Sequence, residues 1–134
     1  MYGGRVRIAA SAVSLNVEDP SASAEFARRH FGFSEEMAGD GFVSLTHEEA
    51  GFNLVYLRTG LPTFKPAPLA GHRADGLLVV FVVEDVDAEY ARLTAENVAI
   101  TTPIETEEWG ERYFQVTDPC GVVFQLVTWV DVAR

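Results

Sequence analysis

The side chains able to do chemistry are few and scattered in this sequence. Three histidines occur, His30, His47 and His72, with one cysteine, Cys120, among many carboxylates. His47-Glu48-Glu49 has the residue types of a metal site. Neighbours at the end of a strand point to different sides, however, so the run reads as a solvated turn. His30 is expected late in a helix, where positive charge suits the C-terminal end. His72 stands in a proline-rich stretch and defines nothing by itself. Cys120 has no neighbouring base to activate its thiol and reads as a turn residue. Glu107, Glu108 and Glu111 supply candidate general bases. Trp109 lies among them and Tyr113 just after, a stacking surface beside negative charge. No nucleophile elbow, phosphate loop, dinucleotide fingerprint or paired-cysteine motif occurs.

The elements that must position these groups come in two copies. Val17-Glu18-Asp19 recurs as Val83-Glu84-Asp85, and Ala24-Glu25-Phe26-Ala27-Arg28 recurs as Ala88-Glu89-Tyr90-Ala91-Arg92. Each copy reads as strand, turn, helix. Ala12 to Val17 alternates small or polar residues with Val13, Leu15 and Val17, the pattern of a half-buried strand. Asp19 then caps a helix that Pro20 opens and Gly32 closes. Strands are expected near 41–47 and 52–58. The stretch from Thr59 to Asp75 holds Pro62, Pro66 and Pro68 and reads as a connection lying over a cavity. Leu77 to Val83 is unbroken apolar, which predicts burial on both faces. Asp85 caps a second helix to about Asn97, with Val86, Tyr90 and Leu93 as its apolar stripe. A short strand near 99–101, an acidic loop 105–111 and strands near 112–117 and 122–130 complete a second βαβββ unit. Asp118-Pro119-Cys120-Gly121 is the turn before the last strand.

With 134 residues and a hydrophobic fraction of 48%, the chain fits one globular domain. Its formal charge of −10 disfavours nucleic acid and anionic membranes, which need a basic face, and favours a cationic small molecule. One cysteine permits no intrachain disulfide. Arg5 and Arg7 precede a run, 8–17, that Ser11, Ser14 and Asn16 break, so neither a secretory leader nor a membrane span is expected. A cytoplasmic location is the expectation.

Four of these motifs, in this order, resemble the vicinal-oxygen-chelate superfamily of glyoxalase I, extradiol dioxygenases and bleomycin resistance proteins. They are Leu15-Asn16-Val17-Glu18-Asp19, Phe31-Gly32-Phe33, Val83-Glu84-Asp85-Val86-Asp87 and Asp118-Pro119-Cys120-Gly121 with the strand after it. The resemblance spans nearly the whole chain. It implies an α+β fold in which two βαβββ modules form a curved mixed sheet around a cleft, commonly in a homodimer. The expected single domain, 1–134, divides into an N-terminal module 8–60 and a C-terminal module 76–131, joined by the proline-rich loop 61–75.

Metal-using members of that superfamily place His and Glu ligands on four strands. Carried over position by position, the ligand sites fall on Ala12, Leu78, Gln125 and, within a residue or two, Tyr56. Ala and Leu cannot ligate, and a neutral Gln is a poor ligand for a first-row ion. The resemblance therefore implies a member without metal, cofactor or catalytic residue. If Ala12 marks the cleft face, Ser14 and Asn16 share it, as do Leu78, Val80 and Val82, and Gln125 with Val123, Val127 and Trp129. The expected ligand set is Asn16, Tyr56, Trp109, Tyr113, Gln125 and Trp129. The expected function is metal-independent binding of an aromatic or cationic small molecule, such as an antibiotic. The alternative is a lyase, isomerase or dioxygenase-like enzyme with a non-standard site.

Overall fold

A computed structural model describes residues 4–131, so positions 1–3 and 132–134 of the expected domain lie outside the described residues. The first half comprises β1 (Ala12–Val17), α1 (Pro20–Phe31), β2 (Ser34–Gly39), β3 (Phe42–Thr46) and β4 (Asn53–Arg58). The second comprises β5 (Leu78–Val82), α2 (Val86–Ala95), β6 (Ile100–Thr106), β7 (Glu111–Thr117) and β8 (Val123–Trp129). Each half forms a mixed four-stranded sheet, ordered β1-β4-β3-β2 and β5-β8-β7-β6. In each, the strand before the helix pairs in parallel with the last strand, and the other pairs are antiparallel. This is the α+β, twice-repeated βαβββ architecture of the glyoxalase/bleomycin resistance fold.

The capping residues do what their chemistry suggests. Asp19 Oδ1 accepts from Ala22 N at 3.2 Å, and Asp85 Oδ1 accepts from Ala88 N at 3.0 Å. Each satisfies a backbone donor at a helix start that would otherwise lack a partner. Gly32 ends α1 in the left-handed region at φ 78°, where a Cβ would strain the backbone. The second helix stops at Ala95, short of the expected Asn97, and Asn97 itself turns left-handed at φ 62°.

The first helix buries Ala24 and Ala27 beneath its own sheet and reaches the second half through two phenylalanines. Phe26 lies 6.0 Å from Phe124, while Phe31 lies 4.7 Å from Phe124 and 5.5 Å from Phe81, measured between ring centroids. The helix-covered faces of both sheets thereby share one core that includes Leu15, Tyr56, Phe114 and Phe124. Burying each such side chain contributes about 1.5–3 kcal/mol. Among the described residues, no helix covers the opposite face of either sheet.

Three expectations change. The second strand, Ser34–Gly39, is exposed throughout and polar enough to pass for loop. The sixth strand runs on to Thr106, so the acidic loop shrinks to 107–110. The apolar run of β5 is not buried on both faces: Val79 is buried and Phe81 half-buried, whereas Leu78, Val80 and Val82 are exposed. Among the described residues, nothing covers the outer face of β5, which is also an edge strand of its sheet.

Candidate ligand-binding face

Strand alternation and register assemble the site. Tyr113 pairs with Val127, Gln115 with Gln125, and Glu111 with Trp129 across β7 and β8, while Val80 and Val82 of β5 pair with Gln125 and Val127. All share the helix-free face of the second sheet, on which Val80, Val82 and Trp129 are exposed and Gln125 and Val127 are buried. Its floor is apolar at β5 and polar toward β6.

A directed hydrogen-bond chain crosses that face. Glu111 is a carboxylate and can only accept, so Gln125 must present its amide N–H₂ to it, Nε2 to Oε2 at 3.2 Å. That leaves Gln125 Oε1 to accept from Gln115 Nε2 at 2.8 Å, and Gln115 Oε1 to accept from Thr102 Oγ1 at 2.7 Å. The other Glu111 oxygen accepts from Trp109 Nε1 at 3.3 Å, which ties the exposed indole of the 107–110 turn to the face. One carboxylate thus orients two amides and an indole.

Negative charge concentrates beside it. Tyr113 Oη donates to Glu105 Oε1 at 2.8 Å. This bond, then burial and the carboxylates of Glu105, Glu107 and Glu111, push the phenol up to about 12. The phenol therefore stays a protonated donor throughout the physiological range. Arg112, the cation of β7, points to the other side, where it grips Asp87 of α2 at 2.7 Å. Its guanidinium holds the Asp87 carboxyl below the usual carboxylate range, first by hydrogen bonding. Among the described residues, no basic side chain pairs with Glu105, Glu107 or Glu111 on the open face.

Of the six residues expected to bind ligand, Trp109, Tyr113, Gln125 and Trp129 come together here. Asn16 lies on the uncovered face of the first sheet, where its Nδ2 donates to Leu69 O at 3.4 Å and holds the connecting loop against β1. Tyr56 is elsewhere: it is fully buried on the helix-covered side of β4. The residues of β4 opposite Ala12, Ser14 and Asn16 are Asn53, Val55 and Leu57, so the face lies one residue out of register from the expected position. Thr102, Gln115 and the Glu105 contact to Tyr113 were not singled out by sequence. The only available signal was the alternation of β7, which puts Gln115 in line with Tyr113.

The donor set does not fit a family-type metal. Ala12, Val55 and Leu78 are hydrocarbons, and the Gln125 amide is committed to Gln115 and Glu111. Among the described residues, no three His, Cys, Asp or Glu side chains cluster as ligands would. Nor is any helix among them long and apolar enough to cross a membrane.

Paired βαβββ sheets, each with one open face, define the class of protein. The family model described as the Glyoxalase/Bleomycin resistance protein/Dioxygenase superfamily matches residues 9–126, and the chain belongs to that superfamily. No curated protein matches it. Several solved structures share the fold. A glyoxalase/bleomycin resistance protein/dioxygenase from Nocardioides superposes with a TM-score of 0.79 at 21% identity, covering 98% of this chain and 90% of its own. TioX from Micromonospora sp. ML1 gives 0.70 at 25% identity, over 91% and 99% of the two chains. TnmS3, described as an antibiotic binding protein from Streptomyces sp. CB03234, gives 0.71 at 23% identity, over 95% and 100%.

Proposed function

We propose that this chain is a metal-independent small-molecule binding protein that holds a flat, cationic aromatic compound on the open face of the second sheet. The observation that carries the reading is that face itself. Its apolar floor of Leu78, Val80 and Val82 adjoins Trp109 and Trp129, and uncompensated glutamates surround Tyr113. Apolar walls with a few fixed polar groups are the usual makeup of a ligand site. Indoles and carboxylates together favour a planar cation through stacking and Coulomb attraction. The likeness to TnmS3 adds that this fold can serve an antibiotic-binding protein. A second copy of the chain closes the face, making the binding unit a homodimer. The enzyme alternative loses Tyr56 as an acid or base, since that side chain is sealed in the core.

The test is a titration with proflavine, paired with elemental analysis of protein purified without chelator. Saturable binding with a concentration-dependent rise in Tm is expected, because a ligand that binds only the folded state stabilises it. Trp109→Ala should weaken binding about 2- to 30-fold, the range of one cation–π contact. Stoichiometric divalent metal, or proflavine that neither binds nor stabilises, would overturn the reading.

A further inference from the structure

A cavity lies away from the open face, on the helix side of the molecule, in the crevice between the two halves. It offers about 410 Å3, is open on one side to solvent, and has Phe31, Phe33, Phe52 and Phe81 among its lining residues. Phe52, just before β4, and Phe81 of β5 are close to parallel, 10° apart with centroids separated by 6.4 Å, and they come from different halves. Clefts of a few hundred Å3 that combine apolar walls with a few polar groups are the usual form of a small-molecule site.

His47 supplies a directed polar group at the mouth. Its Nδ1 accepts from Glu49 N at 3.0 Å, so the neutral ring carries its proton on Nε2. That Nε2–H has no partner among the described residues and lies beside Gly32, 3.7 Å from where a Cβ would stand, while the His47 side chain itself lines the cavity. Phe33 holds the imidazole in place, with centroids 5.0 Å apart.

The far wall is the free edge of β5. Val83 N donates to Val127 O at 2.8 Å, so strand alternation turns the backbone groups of Val80 and Val82 away from β8 and toward the crevice. The charged rim is already engaged. Arg92 is bound to Glu89 at 2.8 Å, Glu96 at 3.1 Å and His30 O at 2.9 Å, which leaves no free cation to receive an acid. Glu49 and Glu89 also line the cavity and repel anions.

We propose that this crevice is a second ligand site, distinct from the open face, that takes a neutral, planar fused-ring aromatic carrying a carbonyl acceptor. The rings lie against the phenylalanine walls, and the carbonyl accepts from His47 Nε2–H. Exclusion of an acid follows from the rim, which offers neither a free cation nor tolerance for an anion, and the aromatic walls give a fused-ring ketone its contact area. Planarity follows from the parallel Phe52 and Phe81 faces.

9-Fluorenone and fluorene differ in that carbonyl, and each can be titrated into the full chain while backbone amide signals are followed by NMR. Fluorenone should shift the amides of Phe33, Phe52 and Val82 and leave those of Gln115 and Gln125 in place. Fluorene should bind roughly tenfold more weakly, the worth of one ordinary hydrogen bond. His47→Phe should bring fluorenone down to the affinity of fluorene and leave fluorene unchanged. Ala50→Trp, which fills the cavity from its wall, should abolish both while proflavine still binds the open face. Failure of the open-face reading would leave these results standing. Fluorenone shifts confined to Gln115 and Gln125, equal affinities for the two compounds, or no shift at either place would each overturn the proposal.

Discussion

Tyr56 buries a hydroxyl that meets no partner among the described residues, and Asp118 Oδ2 is in the same position. The remaining oxygen of Asp118 accepts from the amides of Cys120 at 2.8 Å and Val122 at 2.9 Å. Burial, then the nearby Asp118 and Cys120, push the Tyr56 phenol well above its ordinary value. An unpaired buried hydroxyl costs free energy that a same-shaped apolar group does not. Tyr56→Phe should therefore be neutral or stabilise the fold by up to about 1 kcal/mol in urea unfolding. The pH dependence has a definite sign. The folded state favours the neutral phenol, so stability is full below the unfolded value near pH 10 and falls as pH rises through the folded one. The variant should lose less stability than the parent above about pH 10, and its proflavine affinity should be unchanged. A loss of more than about 1 kcal/mol on substitution would mean that the hydroxyl is satisfied by a partner such as buried water. The same residue shows where the sequence became illegible. Leu54 and Tyr56 on one face of β4, and Val55 and Leu57 on the other, are all apolar, so alternation alone carries no sign.

Elements with sharp ends were legible, and elements without them were not. Asp19, Pro20 and Gly32 bracket the first helix because each has a specific backbone role, and β1 was readable because it alternates. Ser34 to Gly39 offers neither signal, being an exposed edge strand whose register shifts between Glu35 and Met37. The sixth strand was hidden by Pro103, a residue that edge strands tolerate because one side needs no ladder bonds. What no local pattern reveals is how the helices meet. Arg92 of α2 reaches His30 O across the junction, and His30 Nδ1 lies 2.8 Å from Glu96 Oε1. The contact with His30, first, and that with Arg92 hold the Glu96 carboxyl below its ordinary range. Arg92→Met keeps the aliphatic stem and removes the cross-helix bonds. Because the cluster is partly exposed, the cost should be modest, about 1 kcal/mol at pH 7. A carboxyl with a lowered folded value contributes stability above its unfolded value and loses it as pH falls through the folded one. The difference between parent and variant should narrow below about pH 4. A pH-independent difference would assign the effect to packing instead.

Across the whole molecule, two pressures oppose each other at the open faces. Leu78, Val80 and Val82 are 48%, 43% and 68% exposed, an apolar row that water covers poorly. The chain also carries a formal charge of −10, so two copies repel at long range. If a second copy closes the open face, apolar contact must drive association against that repulsion. Added salt should then strengthen the dimer, since screening removes repulsion and leaves hydrophobic burial intact. Val82→Lys would place an unpaired ammonium in the contact, at a cost of about 3 kcal/mol, or roughly a hundredfold in Kd. Sedimentation equilibrium at low and high salt checks both expectations. A parent dimer that tightens with salt, and a monomeric Val82→Lys that still unfolds cooperatively, would place the apolar row at the contact. A dimer that loosens with salt would be held by ion pairs and could not be closing over Leu78, Val80 and Val82. A parent that stays monomeric would leave the ligand face open to solvent, and any proflavine bound there would depend on Trp109, Trp129 and the glutamates of a single chain.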